Sequence, residues 1–173
     1  MANSTLVTDL KQAVIKEIVN DDAFFHAINS PDVEYADDLI YKHIFPYHQN
    51  PETMDKAITF LTIQVHIPKP YDRNKTWVVP RLEIWILSHQ MCMKVDNIPK
   101  ISDNRNDYIS KLLDAKFNGR DTIGGSTNDK FNVHLYGKLD LVSNVEGAFS
   151  KDFLYRQMIF EMKDLNDSLC DEE

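Results

Sequence analysis

Residues 81–89 read Arg81-Leu82-Glu83-Ile84-Trp85-Ile86-Leu87-Ser88-His89. Leu82, Ile84 and Ile86 alternate with Arg81, Glu83 and Trp85. A period of two marks a strand, whose successive side chains point to opposite faces. The alternation predicts a strand over residues 76–88. Pro80 has no N–H to give a ladder, so an edge or a bulge is expected beside it. A second strand lies upstream, where Leu61, Ile63, Val65 and Ile67 alternate with Thr62, Gln64 and His66. It is expected to bury one face and to end at Pro68-Lys69-Pro70. Residues 71–75, which include Asp72, Arg73 and Asn74, read as the loop between the two.

On the N-terminal side, Leu6, Leu10, Val14 and Ile18 recur at helical spacing, with Val7 and Ile15 beside them. They predict an amphipathic helix capped by Ser4 or Thr5. Residues 22–29 suggest a second, short helix with Asp21 and Asp22 as caps, stopped by Ser30-Pro31. Residues 35–44 suggest a third, ahead of Phe45-Pro46, and 46–55 read as a loop.

On the C-terminal side, residues 91–101 are ambiguous and broken by Pro99. Tyr108, Ile109, Leu112, Leu113 and Phe117 form the stripe of the clearest helix. Ser102 or Asp103 is its expected cap and Gly119 its left-handed stop. Residues 120–130 hold Gly124-Gly125-Ser126 and read as a loop. Phe131, Val133, Leu135, Leu139 and Leu141 occupy odd positions and predict a strand over 131–141. Gly137 falls on its buried face, which suggests a bulge or close packing. Residues 143–150 read as a turn. Residues 153–164 read as a last strand, with Met158, Phe160 and Met162 on one face. Helices, two strands, one helix and two strands define an α+β class rather than a doubly wound sheet. The expected architecture is a mainly antiparallel sheet of about four strands flanked by helices, with a helical N-terminal portion. One domain is expected over residues 1–166, with an acidic tail over 167–173.

The chain of 173 residues is 43 % hydrophobic and 27 % charged, which suits one ordinary hydrophobic core. Its net charge of −8 argues against a nucleic-acid clamp, which needs a basic stripe, and against a lysine-rich membrane-surface helix. An acidic protein can still border DNA where its task is to let DNA pass without adhering. Cys92 and Cys170 lie far apart and lack zinc-ligand spacing, and they read as free thiols in a reducing compartment. Residues 1–5 lack the basic and apolar regions of a signal peptide. No apolar run approaches the roughly 18 residues of a membrane span.

Catalytic and metal readings find little support. Gly124-Gly125-Ser126-Thr127 follows a helix and precedes a strand, the reverse of a phosphate loop. His43 and His48 flank Phe45-Pro46, which breaks helical His-pair spacing, and no third ligand is evident; both read as solvated loop imidazoles. His89 with Cys92 suggests a dyad in outline, and Asp107 lies near a helix terminus, yet no oxyanion element accompanies them. Asp21-Asp22, Asp37-Asp38 and Asp171-Glu172-Glu173 read as solvated carboxylates. No catalytic residue, metal or cofactor is assigned. The strands do carry large groups on the nominally outer face: Arg81, Glu83 and Trp85 on one, Tyr155, Arg156 and Ile159 on the other. Trp and Arg are favoured at protein interfaces. The competing reading is that helices cover this face and bury these groups as core.

Three stretches resemble one family: the strand pair 60–67 and 80–89, the helix 103–119 from Asp103 through Arg105 and Asp107 to Asn118-Gly119, and the closing 155–166 with its Asp164-Leu165-Asn166 ending. Over residues 57–166 the chain resembles the tail-terminator, or tail-completion, proteins of long-tailed bacteriophages. That resemblance implies a structural virion protein without catalytic activity. Such proteins form a ring, usually a hexamer, on the head-proximal end of the tail tube, where the ring stops tube polymerisation and meets the head connector. Its expected partners are further copies of itself, the tube protein and connector or neck proteins. No specific nucleic-acid binding and no membrane are implied. Asp72, Asp121 and Asp129 are candidates for loops lining the channel. The alternatives are a head-completion or neck adaptor subunit, a small enzyme using His89, Cys92 and Asp107, and a plain ligand-binding module.

Overall fold

The computed structural model describes residues 3–68, 76–124 and 133–165. Its helices are α1 (Asn3–Val19), α2 (Asp22–Ile28) and α3 (Arg105–Phe117). Its strands are β1 (Ile44–Phe45), β2 (Thr59–His66), β3 (Trp77–Val78), β4 (Arg81–His89), β5 (Thr122–Ile123), β6 (Val133–His134), β7 (Asp140–Ala148), β8 (Phe153–Glu161) and β9 (Asp164–Leu165). The main sheet has five strands in the order β1-β2-β4-β8-β7. All its pairings are antiparallel except β1 with β2. Two short pairs, β3-β9 and β5-β6, stand apart from it. The class is α+β, as the order of elements implies.

The alternation in residues 81–89 explains the packing. Register places Ile63 opposite Ile84, which lies opposite Met158. Val65, Leu82 and Phe160 form the next row. These rows meet Leu10, Val14 and Ile18 of α1 and Ile109, Leu113 and Phe117 of α3 in one buried cluster. Each such side chain contributes about 1.5–3 kcal/mol when fully removed from water. The helices therefore lie on one face of the sheet, and the core lies beneath them.

Several elements differ from the sequence expectation. Ser4 and Thr5 lie inside α1 rather than capping it, and Thr8 donates its hydroxyl to the Ser4 carbonyl at 3.0 Å. The third N-terminal helix is absent: Ala36–Leu39 forms a 3-10 turn, Tyr41 takes φ 63°, and β1 follows. That left-handed Tyr41 ends any helical run. The strand expected over 76–88 is cut at Pro80. β3 turns away to pair with β9, and the Pro80 carbonyl accepts from Met162 N at 3.2 Å. The cap of α3 is Asn104, whose Oδ1 accepts from Asp107 N at 2.9 Å; Ser102 and Asp103 stand upstream of it. Asp21 caps α2, accepting from Ala23 N at 3.0 Å, and Gly119 takes φ 80° after α3, both as expected.

The largest correction concerns residues 131–150. Of the strand expected over 131–141, the described residues hold Val133–His134 and, at its end, Asp140 and Leu141 as strand, while Leu135 and Leu139 are buried in the connection between them. Their N–H groups donate to the Asp121 and Arg120 carbonyls at 2.7 and 2.8 Å. The segment read as a turn is mostly β7. This is an edge strand exposed on both sides, so burial never imposed an alternation on it. Gly137 does mark close packing: a Cβ there would stand 2.6 Å from the Lys163 carbonyl oxygen.

Arg105 joins the N-terminal part to the rest. It is 3 % exposed, and its guanidinium donates to the carbonyls of Ala27, of Cys92 at 2.5 Å and of Lys94 at 2.9 Å. The end of α2, the segment after β4 and the first turn of α3 thus meet on one side chain. A second buried chain links the sheet to α3. Thr59 and Ser88 share a bond of 2.9 Å, Ser88 donates to Asn106 Oδ1 at 2.7 Å, and Asn106 donates to the Leu154 carbonyl at 3.3 Å.

Two substitutions test this account by urea unfolding. Gly137→Ala is expected to lose about 1–3 kcal/mol, because its methyl group meets backbone rather than a movable side chain. Arg105→Met is expected to lose about 3 kcal/mol or more, since each buried acceptor left unpaired costs about 1–3 kcal/mol. Lys111→Met, which breaks an exposed pair with Asp103, is expected to change stability by less than about 1 kcal/mol. Equal losses from Arg105→Met and Lys111→Met would contradict the tie.

Candidate interaction surface

The strand period that sends Leu82, Ile84 and Ile86 toward the helices sends Arg81, Glu83, Trp85 and Leu87 to the opposite face. Register builds this face in rows. Trp85 lies between Thr62 and Gln157, Glu83 between Gln64 and Ile159, and Arg81 between His66 and Glu161. Leu87 lies between Phe60 and Tyr155. The helices of the buried cluster pack on the opposite face, yet this face is not bare: residues 45–58 cover one end of it, and Arg81, Glu83, Trp85 and Tyr155 are all half-buried.

One end of the face is aromatic. Phe45, Phe60, Leu87 and Phe153 are buried there, under partly buried Met54, Ile58, Trp85, Phe149 and Tyr155. The Trp85 and Tyr155 rings lie 4.8 Å apart at a tilt of 43°, and His48 meets Trp85 edge-on at 6.0 Å. Tyr155 crosses the edge strand over Gly147, where a Cβ would come within 2.8 Å of its hydroxyl. The other end is polar, and its groups bond to one another. Glu83 Oε1 accepts from Trp85 Nε1 at 2.6 Å and from Gln157 Nε2 at 2.5 Å. Arg81 Nε donates to Glu161 at 2.5 Å. The result is a preorganised surface of aromatic and charged groups of the kind that anchors protein contacts.

Four of the five candidates, Arg81, Glu83, Trp85 and Tyr155, therefore share this face. Arg156 does not. Its neighbour Tyr155 faces out, so Arg156 points to the helix side, where it pairs with Asp107 of α3 and with Glu146 at 2.7 Å and donates to Asn144 at 2.9 Å. It fastens α3 to the edge strand rather than offering a free contact. Of the loop aspartates, Asp121 is exposed beside β5, while Asp72 and Asp129 lie outside the described residues. Gln157 and Glu161 complete the face. The alternation of residues 157–161 already carried the signal for them.

The His89 and Asp107 side chains are engaged with other groups. His89 Nδ1 accepts from Met91 N at 3.2 Å and its ring meets Phe153 edge-on, while Asp107 is held by Arg156. Burial raises the Cys92 thiol above its ordinary value, with Arg105 opposing, which is the reverse of an activated nucleophile. Among the described residues no group of three His, Cys, Asp or Glu stands ready to hold a metal. His48 is exposed as expected, but His43 is not: it is 4 % exposed and donates from Nδ1 to the Thr59 carbonyl at 2.7 Å. No helix among the described residues is long and apolar enough to cross a membrane.

Fold and surface together define a two-layer α+β chain, with helices on one face of its sheet and half-buried aromatic and charged groups on the other. The model of the YomW family matches residues 15–162, and the chain belongs to that family. YomW is a phage-type protein from the Bacillus phage SPbeta region. No curated protein matches the chain.

The buried imidazole has a pH signature. Burial lowers the His43 pKa below its ordinary value, against smaller raising effects from the Thr59 carbonyl and Asp32. The unfolded chain then binds the proton more readily than the native one, so stability falls as pH drops below about 6.5. Thermal unfolding between pH 7.5 and 5.5 is expected to show this decline in the wild type and a flatter profile in His43→Gln. Parallel profiles would rule out His43 as its source.

Proposed function

We propose that this chain is a structural virion subunit of the tail-terminator kind. It assembles as a ring on the head-proximal end of a tail tube, blocks further addition of tube subunits and offers its far side to the head connector. The observation that carries the reading is the half-buried outer sheet face of Arg81, Glu83, Trp85 and Tyr155. These groups are held rigid by their own pairings and sit on a chain of a phage-type family. The face supplies binding area rather than chemistry, because its carboxylates are engaged with Trp, Gln and Arg partners instead of facing a reactive cavity. The net charge of −8 suits a ring through which DNA passes without adhering.

The test is to add the purified chain to polymerising tube subunits of the same virus and measure tube lengths by electron microscopy. Tubes are expected to stop growing and to carry one capped end. Trp85→Ala is expected to weaken capping at least tenfold, in line with loss of about 2 kcal/mol at an interfacial anchor. A chain that leaves tube lengths unchanged and binds the connector ring instead is a neck adaptor, and the terminator reading falls.

A further inference from the structure

Where the end of α2, the start of β2 and the segment after β4 meet, they form a pocket of about 310 Å³. That volume is at the small end of the range for ligand sites. Ile28, Ile58 and Met91 give the pocket an apolar wall, while His43 and Arg105 give it buried polar groups. None of Arg81, Glu83, Trp85 and Tyr155 borders it.

The charges around the pocket do not cancel. Lys56 pairs with Asp32 at 2.6 Å, and Lys94 meets Asp96 at 3.7 Å. Arg105 is left over. It is 3 % exposed, and its side chain bonds to backbone carbonyls rather than to a carboxylate. A guanidinium has five N–H groups. The carbonyls of Ala27, Cys92 and Lys94 take three of them, which leaves two for a further acceptor. Burial lowers the Arg105 pKa from its ordinary value, and Cys92 and Asp96 oppose this only in part. In a chain of net charge −8, this pocket therefore holds a local surplus of positive charge.

His43 adds a second group in want of a partner. It is 4 % exposed, and its Nδ1 donates to the Thr59 carbonyl at 2.7 Å. Nε2 of the neutral ring is then a lone-pair acceptor, and it meets no donor among the described residues. Asp32 and Lys42 act on the ring through space, and Asp55, Lys56, Cys92, Lys94, Asp96 and Arg105 border the recesses that it lines. A carboxylate cannot settle against a lone pair. Its arrival brings a proton to Nε2, which turns the acceptor into a charged donor.

We propose that this pocket binds a small organic carboxylate, with its anionic head held by Arg105 and a protonated His43 and its short apolar body against Ile28, Ile58 and Met91. The apolar wall favours such an acid over inorganic phosphate, which has no apolar surface to bury. The inference is independent of the ring reading, and either can fail alone.

The test adds sodium butyrate to the purified full chain at constant ionic strength, with sodium phosphate as the comparison. Thermal unfolding and the His43 ring signals in NMR are followed between pH 7.5 and 5.5, and the signals are assigned by their loss in His43→Gln. Butyrate is expected to raise the unfolding midpoint saturably, as a ligand of the native state does. It is also expected to raise the His43 pKa. Because one proton enters with the ligand, affinity is expected to strengthen by about tenfold per pH unit between the free and bound pKa values of His43. His43→Gln is expected to abolish that dependence. Arg105→Lys keeps the charge but loses the planar fork, and is expected to bind butyrate at least about tenfold more weakly. Should that variant not fold, the His43 titration decides. Phosphate acting as strongly as butyrate would overturn the carboxylate assignment. Butyrate that moves neither the midpoint nor the His43 signals would overturn the site, and so would a pH-dependent stabilisation that His43→Gln retains. None of these results bears on tube capping.

Discussion

The structure depends on a buried cation without a buried anion. Arg105 is almost wholly removed from water, yet its hydrogen bonds run to three backbone carbonyls rather than to a carboxylate. A guanidinium suits this role because its planar fork stays charged and presents five donors in fixed directions. The Ala27 carbonyl lies far in sequence from those of Cys92 and Lys94, which share one segment. Satisfying them with one side chain fixes the end of α2, the exit of β4 and the start of α3 relative to one another. The backbone agrees, since Arg105 N also donates to the Met93 carbonyl at 2.8 Å. Besides this tie, α2 and α3 are joined by the Lys116–Asp21 ion pair at 2.6 Å and by apolar contact, which is non-directional.

With the helices fixed on one side, the other face of the sheet is covered only at its aromatic end, by residues 45–58. The chain from Thr59 through Ser88 to Asn106 pins α3 across the ends of β2 and β4 by direct hydrogen bonds. Arg156 pins the first turn of α3 to the edge strand through Asp107, Asn144 and Glu146. Because these fastenings sit on the helix side, the residues opposite are free of any role in holding the two layers together. Their bonds run along the face, from Trp85 to Glu83, from Gln157 to Glu83 and from Arg81 to Glu161. Such lateral bonding lowers the cost of ordering side chains when a partner arrives.

What the sequence made legible follows burial closely. The rows through Ile63, Ile84 and Met158 were readable because each strand there has one dry face, and a dry face imposes a period of two. β7 was invisible for the opposite reason. It is wet on both sides, so Ser143–Ala148 shows no apolar alternation and reads as a turn while adopting the geometry of a strand. Leu135 and Leu139 misled in the other direction, because they are buried by anchoring a connection rather than by belonging to a ladder. Of the outer-face residues, Arg81, Glu83, Trp85 and Tyr155 were legible from alternation. Arg156 was misplaced because chain proximity to Tyr155 outweighed the strand period. His43 was hidden, since nothing in residues 41–47 announces that its ring closes on the Thr59 carbonyl.

The two edges of the sheet are treated unequally, and that asymmetry has physical content. Exposed edges invite pairing with other chains, and proteins usually blunt them with short strands, lysine, proline or bulges. β1 is blunted: it has two residues, and the Tyr41 turn takes up the Ile44 carbonyl. β7 is blunted only near its start, where the register shifts between Leu141 and Ser143. Beyond that irregularity, Asn144 to Ala148 keep a regular register with β8 on one side, and among the described residues no strand pairs with the other side. Acidic groups at Asp140 and Glu146 discourage two such edges from meeting each other, since like charges placed face to face repel. An edge that repels its own kind is thereby guarded against indiscriminate strand pairing without being shortened or capped by proline.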